Sequence, residues 1–295
     1  MPLVVPVTAS GDLDEASLDK LIASMLAGGV EGVFVLGTTG EGVSVPRAWR
    51  LKLVKRTVER VQGKTLVYAG IGDTCLADSV GAANEYFDAG ADVAVAQPPV
   101  YFPLQPADLS GWFRPLLDEV NGPVIIYNIP STTRISLPLE VVASLVGHPR
   151  LAGIKDSEND PKRHETLLSQ FGGRPDFSIF IGVGALMLQG LKLGANGIVP
   201  SVGNLIPDIC HRLCEAARRG DWAAAEGFTE RMNAVAALYQ KGRTLGPSLA
   251  ALKAALHHRG ICAPHMLPPL APLTPAELET IRVEMLKLHL LPETR

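Results

Sequence analysis

The stretch LAGIKDSEND, residues 151–160, carries an apolar run that ends on Lys155. Lysine is almost never fully buried unless its charge is compensated. Either the amine reaches water, or it is wanted inside as a neutral nucleophile. Other reactive types stand at the ends of similar runs. PVIIYNI, residues 123–129, carries Tyr127; GVFVLG runs into TTGEG with Thr38 and Thr39; QPPVYFP carries Tyr101. An amine withdrawn from water favours its neutral form, which attacks a carbonyl carbon. A neighbouring phenol can move the protons for carbinolamine dehydration and for making or breaking a C–C bond. Two threonine hydroxyls and the N–H groups of a glycine turn suit a small carboxylate. Each feature alone has a plainer reading: a snorkelling or salt-bridged lysine, a core tyrosine, an ordinary turn. Three of them at the ends of separate strands favour the chemical one.

Those residues need a scaffold that aligns strand ends. Eight short apolar runs recur, at residues 4–8, 32–37, 65–71, 91–97, 123–129, 151–156, 177–182 and 196–202, with helical segments between them. Continuous apolar strands alternating with amphipathic helices indicate parallel strands buried on both faces. Eight such units suit a (β/α)8 TIM barrel, with an open doubly wound sheet as the alternative until closure is seen. After residue 202 only helices are expected, over 207–219, 221–241, 247–259 and 275–288, with a proline-rich loop at 262–275. Residues 1–219 are thus assigned to the barrel and 220–295 to a C-terminal helical extension packed on it as one structural unit. In a barrel the working side chains leave the C-terminal strand ends. Along a strand, side chains alternate, so Lys155 opposes Ile154 and Asp156, and Tyr127 opposes Ile126 and Asn128.

Bulk properties narrow the classes. The 295 residues are 47% hydrophobic with a formal charge of −3 and no basic stripe, which argues against a nucleic-acid or anionic-membrane partner. Four cysteines are too few for a disulfide framework and read as reduced thiols. Cys210 and Cys214 flank His211 but lack further ligands nearby, so core packing is expected there and no metal. The N-terminus has no basic n-region, and no run approaches a membrane span, so a cytoplasmic protein is expected. Gly182–Val183–Gly184 and PSVGN close the last two runs without a lysine or arginine, which weakens a phosphate site. No G-x-G-x-x-G follows the first run.

GTTGE, YNIP and GIKD, in this order and at these separations, resemble the dihydrodipicolinate synthase / N-acetylneuraminate lyase family over nearly the whole chain. The resemblance implies a (β/α)8 barrel with C-terminal helices, assembled as a homotetramer of two tight dimers. It implies a Schiff base between Lys155 and pyruvate or another 2-oxo acid, with no other cofactor and no metal. Tyr127 then matches the proton relay, Thr38 and Thr39 hold the pyruvate carboxylate and pass protons, and Tyr101 reaches into a neighbouring subunit's site. Val199 matches a residue whose backbone lines the pocket, and Gly182 is counted with the substrate-binding positions.

The departures bear on the second substrate. Synthases of that family carry an arginine where this chain has Thr132, and the nearest arginine is Arg134. A guanidinium fork is not replaced by a hydroxyl. Sialic-acid lyases carry acids after strand seven, where Val183, Gly184 and Ala185 stand here. Val100, Arg47 and Arg50 replace the residues of the feedback lysine site. The expected activity is that of a pyruvate-family lyase or aldolase acting on a 2-oxo-3-deoxy or 4-hydroxy-2-oxo acid and its aldehyde. 4-Hydroxy-tetrahydrodipicolinate synthase and a sugar-acid dehydratase are the enzymatic alternatives, and a non-catalytic 2-oxo acid sensor is the rival from another class.

Overall fold

A computed structural model describes residues 1–291. In chain order, α1 (Glu15–Ala27), β1 (Gly32–Val35) and α2 (Arg47–Val61) come first. Then β2 (Leu66–Gly70), α3 (Leu76–Asp88), β3 (Val93–Ala96), α4 (Pro106–Glu119) and β4 (Val124–Asn128) alternate. The short α5 (Pro130–Thr133) and α6 (Leu139–Leu145) lead to β5 (Leu151–Asp156) and α7 (Pro161–Phe171). Next come β6 (Ser178–Ile181), α8 (Met187–Lys192) and β7 (Gly197–Ile198). Four helices close the described chain: α9 (Pro207–Arg218), α10 (Trp222–Gln240), α11 (Leu245–His258) and α12 (Pro275–Lys287). Each of the four lies within two residues of its expected span. Among the described residues, no helix is long and apolar enough to cross a membrane.

Local chemistry explains the ends of these elements. Asp14 caps α1 by accepting the Ser17 N–H at 3.0 Å, and Gly29 leaves that helix at φ +73°, as the Gly-Gly pair suggests. Thr274 and Glu277 form a reciprocal capping box at α12. Asp221 caps α10 through the Ala224 N–H.

Two compact units result: Met1–Thr65 with the chain from Ser201 onward, and Leu66–Pro200. In the first unit the expected strand at residues 4–8 is not a strand. The segment is buried, but its ladder is reduced to single bridges, Pro2 with Phe34 and Val7 with Leu13. Pro2 and Pro6 have no N–H to donate. The Val4 N–H finds its acceptor on the Asn204 side chain at 3.2 Å, while the Asn204 amide donates to Pro2 O at 2.7 Å. α11 in this unit is buried from Ser248 to Leu256, so it is a core helix.

The second unit holds β2 to β7 side by side in chain order, every pair parallel. β3 and β4 are buried at every position, as strands covered on both faces must be. The sheet curls: the Tyr68 ring on β2 meets the Phe180 ring on β6 edge-on, centroids 6.5 Å apart, although three strands lie between them.

Candidate active site

Lys155 and Tyr127 are direct register partners on β5 and β4. Partners in a parallel ladder share a face, and Phe180 continues that face onto β6. Lys155 is 6% exposed, and its Nζ stands 3.8 Å from the centroid of the Tyr127 ring, itself buried. The amine therefore does not snorkel out to water, which answers the question its sequence context raises.

That pairing depends on an irregularity. Val124 pairs with Leu151, but Ile125 pairs with Gly153, so Ala152 is an extra residue in β5. An uninterrupted ladder would set Tyr127 against Ile154 and turn Lys155 to the opposite face. Gly153 makes the bulge sterically possible: a Cβ there would lie 2.1 Å from the Ser178 carbonyl oxygen on β6. Gly182, just past β6, is also held by contact. Its added Cβ would meet Ser157 Oγ at 2.0 Å and Lys155 Cε at 3.3 Å. Gly182 thus lies against the lysine side chain. Val199 follows β7 half-buried, with its N–H donating to Ile181 O at 2.9 Å.

The other residues of this unit lie on loops. Thr132 and Arg134 are both exposed, on and just after α5. Arg134 adopts φ +61°, a left-handed conformation uncommon for a side chain of its kind. Tyr101 is 89% exposed at φ +92°, its ring edge-on to the exposed Phe102 at 5.1 Å. Lys155, Tyr127 and Gly182 are brought together; Tyr101 points away from any cover within its unit.

Thr38 and Thr39 belong to the first unit, on a 3-10 turn at Thr38–Gly40. Thr39 is buried and Thr38 half-buried. The turn is tightly wound, with Leu36 at φ +60° and Glu41 at φ +51°. Gly42 must be glycine, because a Cβ would fall 2.0 Å from Leu36 O. Glu41 anchors the turn through an ion pair with Lys253 of α11, both side chains fully buried. Glu41 Oε2 also accepts the Leu267 N–H at 2.7 Å, and Lys253 Nζ donates to His265 O at 2.8 Å.

Glu41, Asn128 and Asp156 are buried polar residues that residue type and spacing do not single out. One signal was available for the last two. Polar residues directly after Tyr127 and Lys155, on strands otherwise apolar, must face the helix side and find partners there. Asp156 does so while fully buried. Burial pushes its carboxyl up, yet His164, the charge of Arg163 and the Glu158 N–H together hold it below its ordinary value. Among the described residues no group of three His, Cys, Asp or Glu side chains is placed to hold a metal ion. All four cysteines are free thiols, and Cys210 packs its sulfur 3.8 Å from Met232 Sδ.

The model of the dihydrodipicolinate synthetase family matches residues 1–287, and the chain belongs to that family of Schiff-base lyases and synthases. A 4-hydroxy-tetrahydrodipicolinate synthase of Thioalkalivibrio sulfidiphilus is 29% identical over 272 residues, 92% of this chain and 90% of the relative. An uncharacterized DapA-like lyase of Halobacterium salinarum is 32% identical over 294 residues, covering 98% and 94%. Among solved structures, a prophage protein of E. coli K12 from the dihydrodipicolinic acid synthase family, in complex with pyruvate, superposes with a TM-score of 0.91 at 27% identity, covering 98% of this chain and 97% of the other. The fold class is the one read from the alternation of apolar runs, a (β/α)8 barrel with appended C-terminal helices.

Proposed function

We propose that this chain is a class I pyruvate-family lyase in which Lys155 forms an imine with a 2-oxo acid. One observation carries the reading: a buried lysine amine stacked at 3.8 Å on the ring of its register partner, Tyr127. The Lys155 amine adds to the C2 carbonyl of pyruvate, and the carbinolamine loses water to give a protonated imine. That cation draws electrons from C3, so a C3 proton leaves and an enamine forms. The enamine adds to an aldehyde carbon, whose oxygen takes a proton, and water then hydrolyses the imine to release product and free Lys155. Cleavage is the same sequence reversed. Tyr127 moves the protons, and the Thr38 and Thr39 hydroxyls take the carboxylate. Val199 and Gly182 line the substrate's path. No cofactor beyond the imine is needed.

The substrate of this proposal is a 2-oxo-3-deoxy or 4-hydroxy-2-oxo acid, made from or cleaved to pyruvate and an aldehyde. Thr132 supports it, since a hydroxyl offers no charged fork for a semialdehyde carboxylate. The names of the synthase relatives favour a second reading, condensation of pyruvate with aspartate semialdehyde, with Arg134 supplying the charge. An exposed Tyr101 beside Phe102 fits a second copy of the chain, here a homotetramer in the cytoplasm whose tyrosines serve neighbouring sites.

Incubation with pyruvate, reduction with borohydride and intact-mass measurement test the imine. The expected result is one reduced pyruvyl group per chain, lost in Lys155→Ala. An unmodified mass, or an adduct that survives the substitution, overturns the proposal. An aldehyde panel that includes aspartate semialdehyde separates the two readings.

A further inference from the structure

On the face of β4 and β5 opposite Lys155 and Tyr127 lies a polar network that imine chemistry does not use. Asn128 and Asp156 are register partners there, each one residue beyond the reactive pair and each wholly buried. The Asn128 amide nitrogen donates to both Asp156 oxygens at 3.1 Å and to Glu158 Oε2 at 2.9 Å. Its carbonyl oxygen accepts the Leu137 N–H at 2.9 Å. Only one orientation of the amide satisfies these neighbours: nitrogen toward carboxylates, oxygen toward the N–H. An aspartate at 128 would lose the donor and set a third carboxylate against two others.

The chain leaves β4 at Asn128, winds through α5 with Thr132 and Arg134, and returns to Asn128 at Leu137. A second tie closes it near the same point, where Ser136 Oγ donates to Glu158 Oε2 at 2.6 Å. Glu158 is held in turn by Arg163, whose Nε stands 3.3 Å from the same oxygen and 2.8 Å from Asp156 Oδ2. The upstream end is knotted on one carbonyl, with Ile129 O accepting the hydroxyls of Thr132 at 3.2 Å and Thr133 at 3.0 Å. The loop is thus cinched at both ends onto the strand pair that carries Lys155 and Tyr127.

We infer that Asn128 and Glu158 are positioning residues for the second substrate. They set where the loop bearing Thr132 and Arg134 lies relative to the end of β5. The aldehyde half of the reaction is therefore selected through them, while the 2-oxo acid half is not. This inference rests on Lys155 being the imine-forming residue. Ser136 and Glu158 are its accessible end, because their bond lies at the surface and can be cut without opening the core.

The experiment uses Ser136→Ala and Glu158→Ala, with Ser136→Thr as the conservative control that keeps the hydroxyl. Pyruvate adduct yield after borohydride reads the first half. Steady-state kinetics with pyruvate plus glyceraldehyde or aspartate semialdehyde read the second. Hydrogen exchange of peptides spanning residues 129–137 reads the loop itself, whether or not either aldehyde turns over. Both cutting variants should raise the KM for aldehyde about fivefold to tenfold, the loss expected of one charged hydrogen bond at a partly exposed site. The KM for pyruvate and the adduct yield should stay within about twofold, and exchange over 129–137 should quicken. Ser136→Thr should restore both. Equal changes in the two KM values, or unchanged exchange over 129–137, overturn the inference while leaving the imine intact. Absence of an adduct in the unmodified protein overturns both readings at once.

Discussion

Replacing Lys253 with Met removes the ammonium that neutralises Glu41 and keeps much of the side-chain volume. Both groups are fully buried, so the remaining carboxylate has the Leu267 N–H at 2.7 Å and cannot recover hydration by a small movement. The His265 carbonyl oxygen loses the Lys253 ammonium that it accepts at 2.8 Å. Breaking one side of such a buried pair costs about 3–5 kcal/mol. Against a total stability of about 5–15 kcal/mol this is a large fraction. For a chain of this size the melting temperature should fall by about 6–10 °C, at about 2 °C per kcal/mol. Urea unfolding of Lys253→Met, Glu41→Gln and the double variant closes a double-mutant cycle. The double variant should be less destabilised than the two single losses combined, because it leaves no stranded charge. Glu41 also holds the turn of Thr38 and Thr39, so under the proposed mechanism Lys253→Met should weaken turnover as well. A loss below about 1 kcal/mol in Lys253→Met is the value of a surface pair, and it would refute this account of the turn.

Two further outcomes follow from the strand pair. Gly153→Ala drives a methyl to 2.1 Å from Ser178 O, so β5 must shift at its bulge; stability should drop by about 1–3 kcal/mol and the pyruvate adduct should be largely lost, and a fully trapped, fully stable alanine variant would contradict the role given to the bulge. Asp156 has a folded-state carboxyl below its ordinary value, so its contribution is complete above about pH 4 and fades as pH falls through the folded value. The stability gap between the protein and Asp156→Asn, followed by urea unfolding, should hold steady from pH 7 to 5 and narrow below pH 4; a gap that stays constant to strong acid would contradict it.

Hydrophobic periodicity was enough to find seven of the eight expected strands and all four C-terminal helices, because that signal is local. It failed at residues 4–8, where burial and β-branched residues mimic a strand but Pro6, with Pro2 just ahead of the run, withholds an N–H group a ladder needs. Lys155 stood out because a lysine is costly at the end of a buried run, and Tyr127 because a phenol at the end of a second run could serve that amine. Glu41 did not stand out, since an acid in a glycine turn reads as solvated until its partner on α11 is known.

The residue types at the strand ends, and the alternation of strand and helix that makes those ends converge, were determined by sequence alone. Side-chain alternation separates Lys155 from Asp156 on any extended strand, whatever surrounds it. Which neighbour Lys155 would face was decided only in the folded chain. A single extra residue at Ala152 exchanges Ile154 for Lys155 as the partner of Tyr127, and nothing in the local pattern of residues 151–156 records the register of a strand formed elsewhere in the chain. The same holds for the buried partners of Glu41 and Asn128: pairing between distant segments is an outcome of packing, and packing is a property of the whole fold.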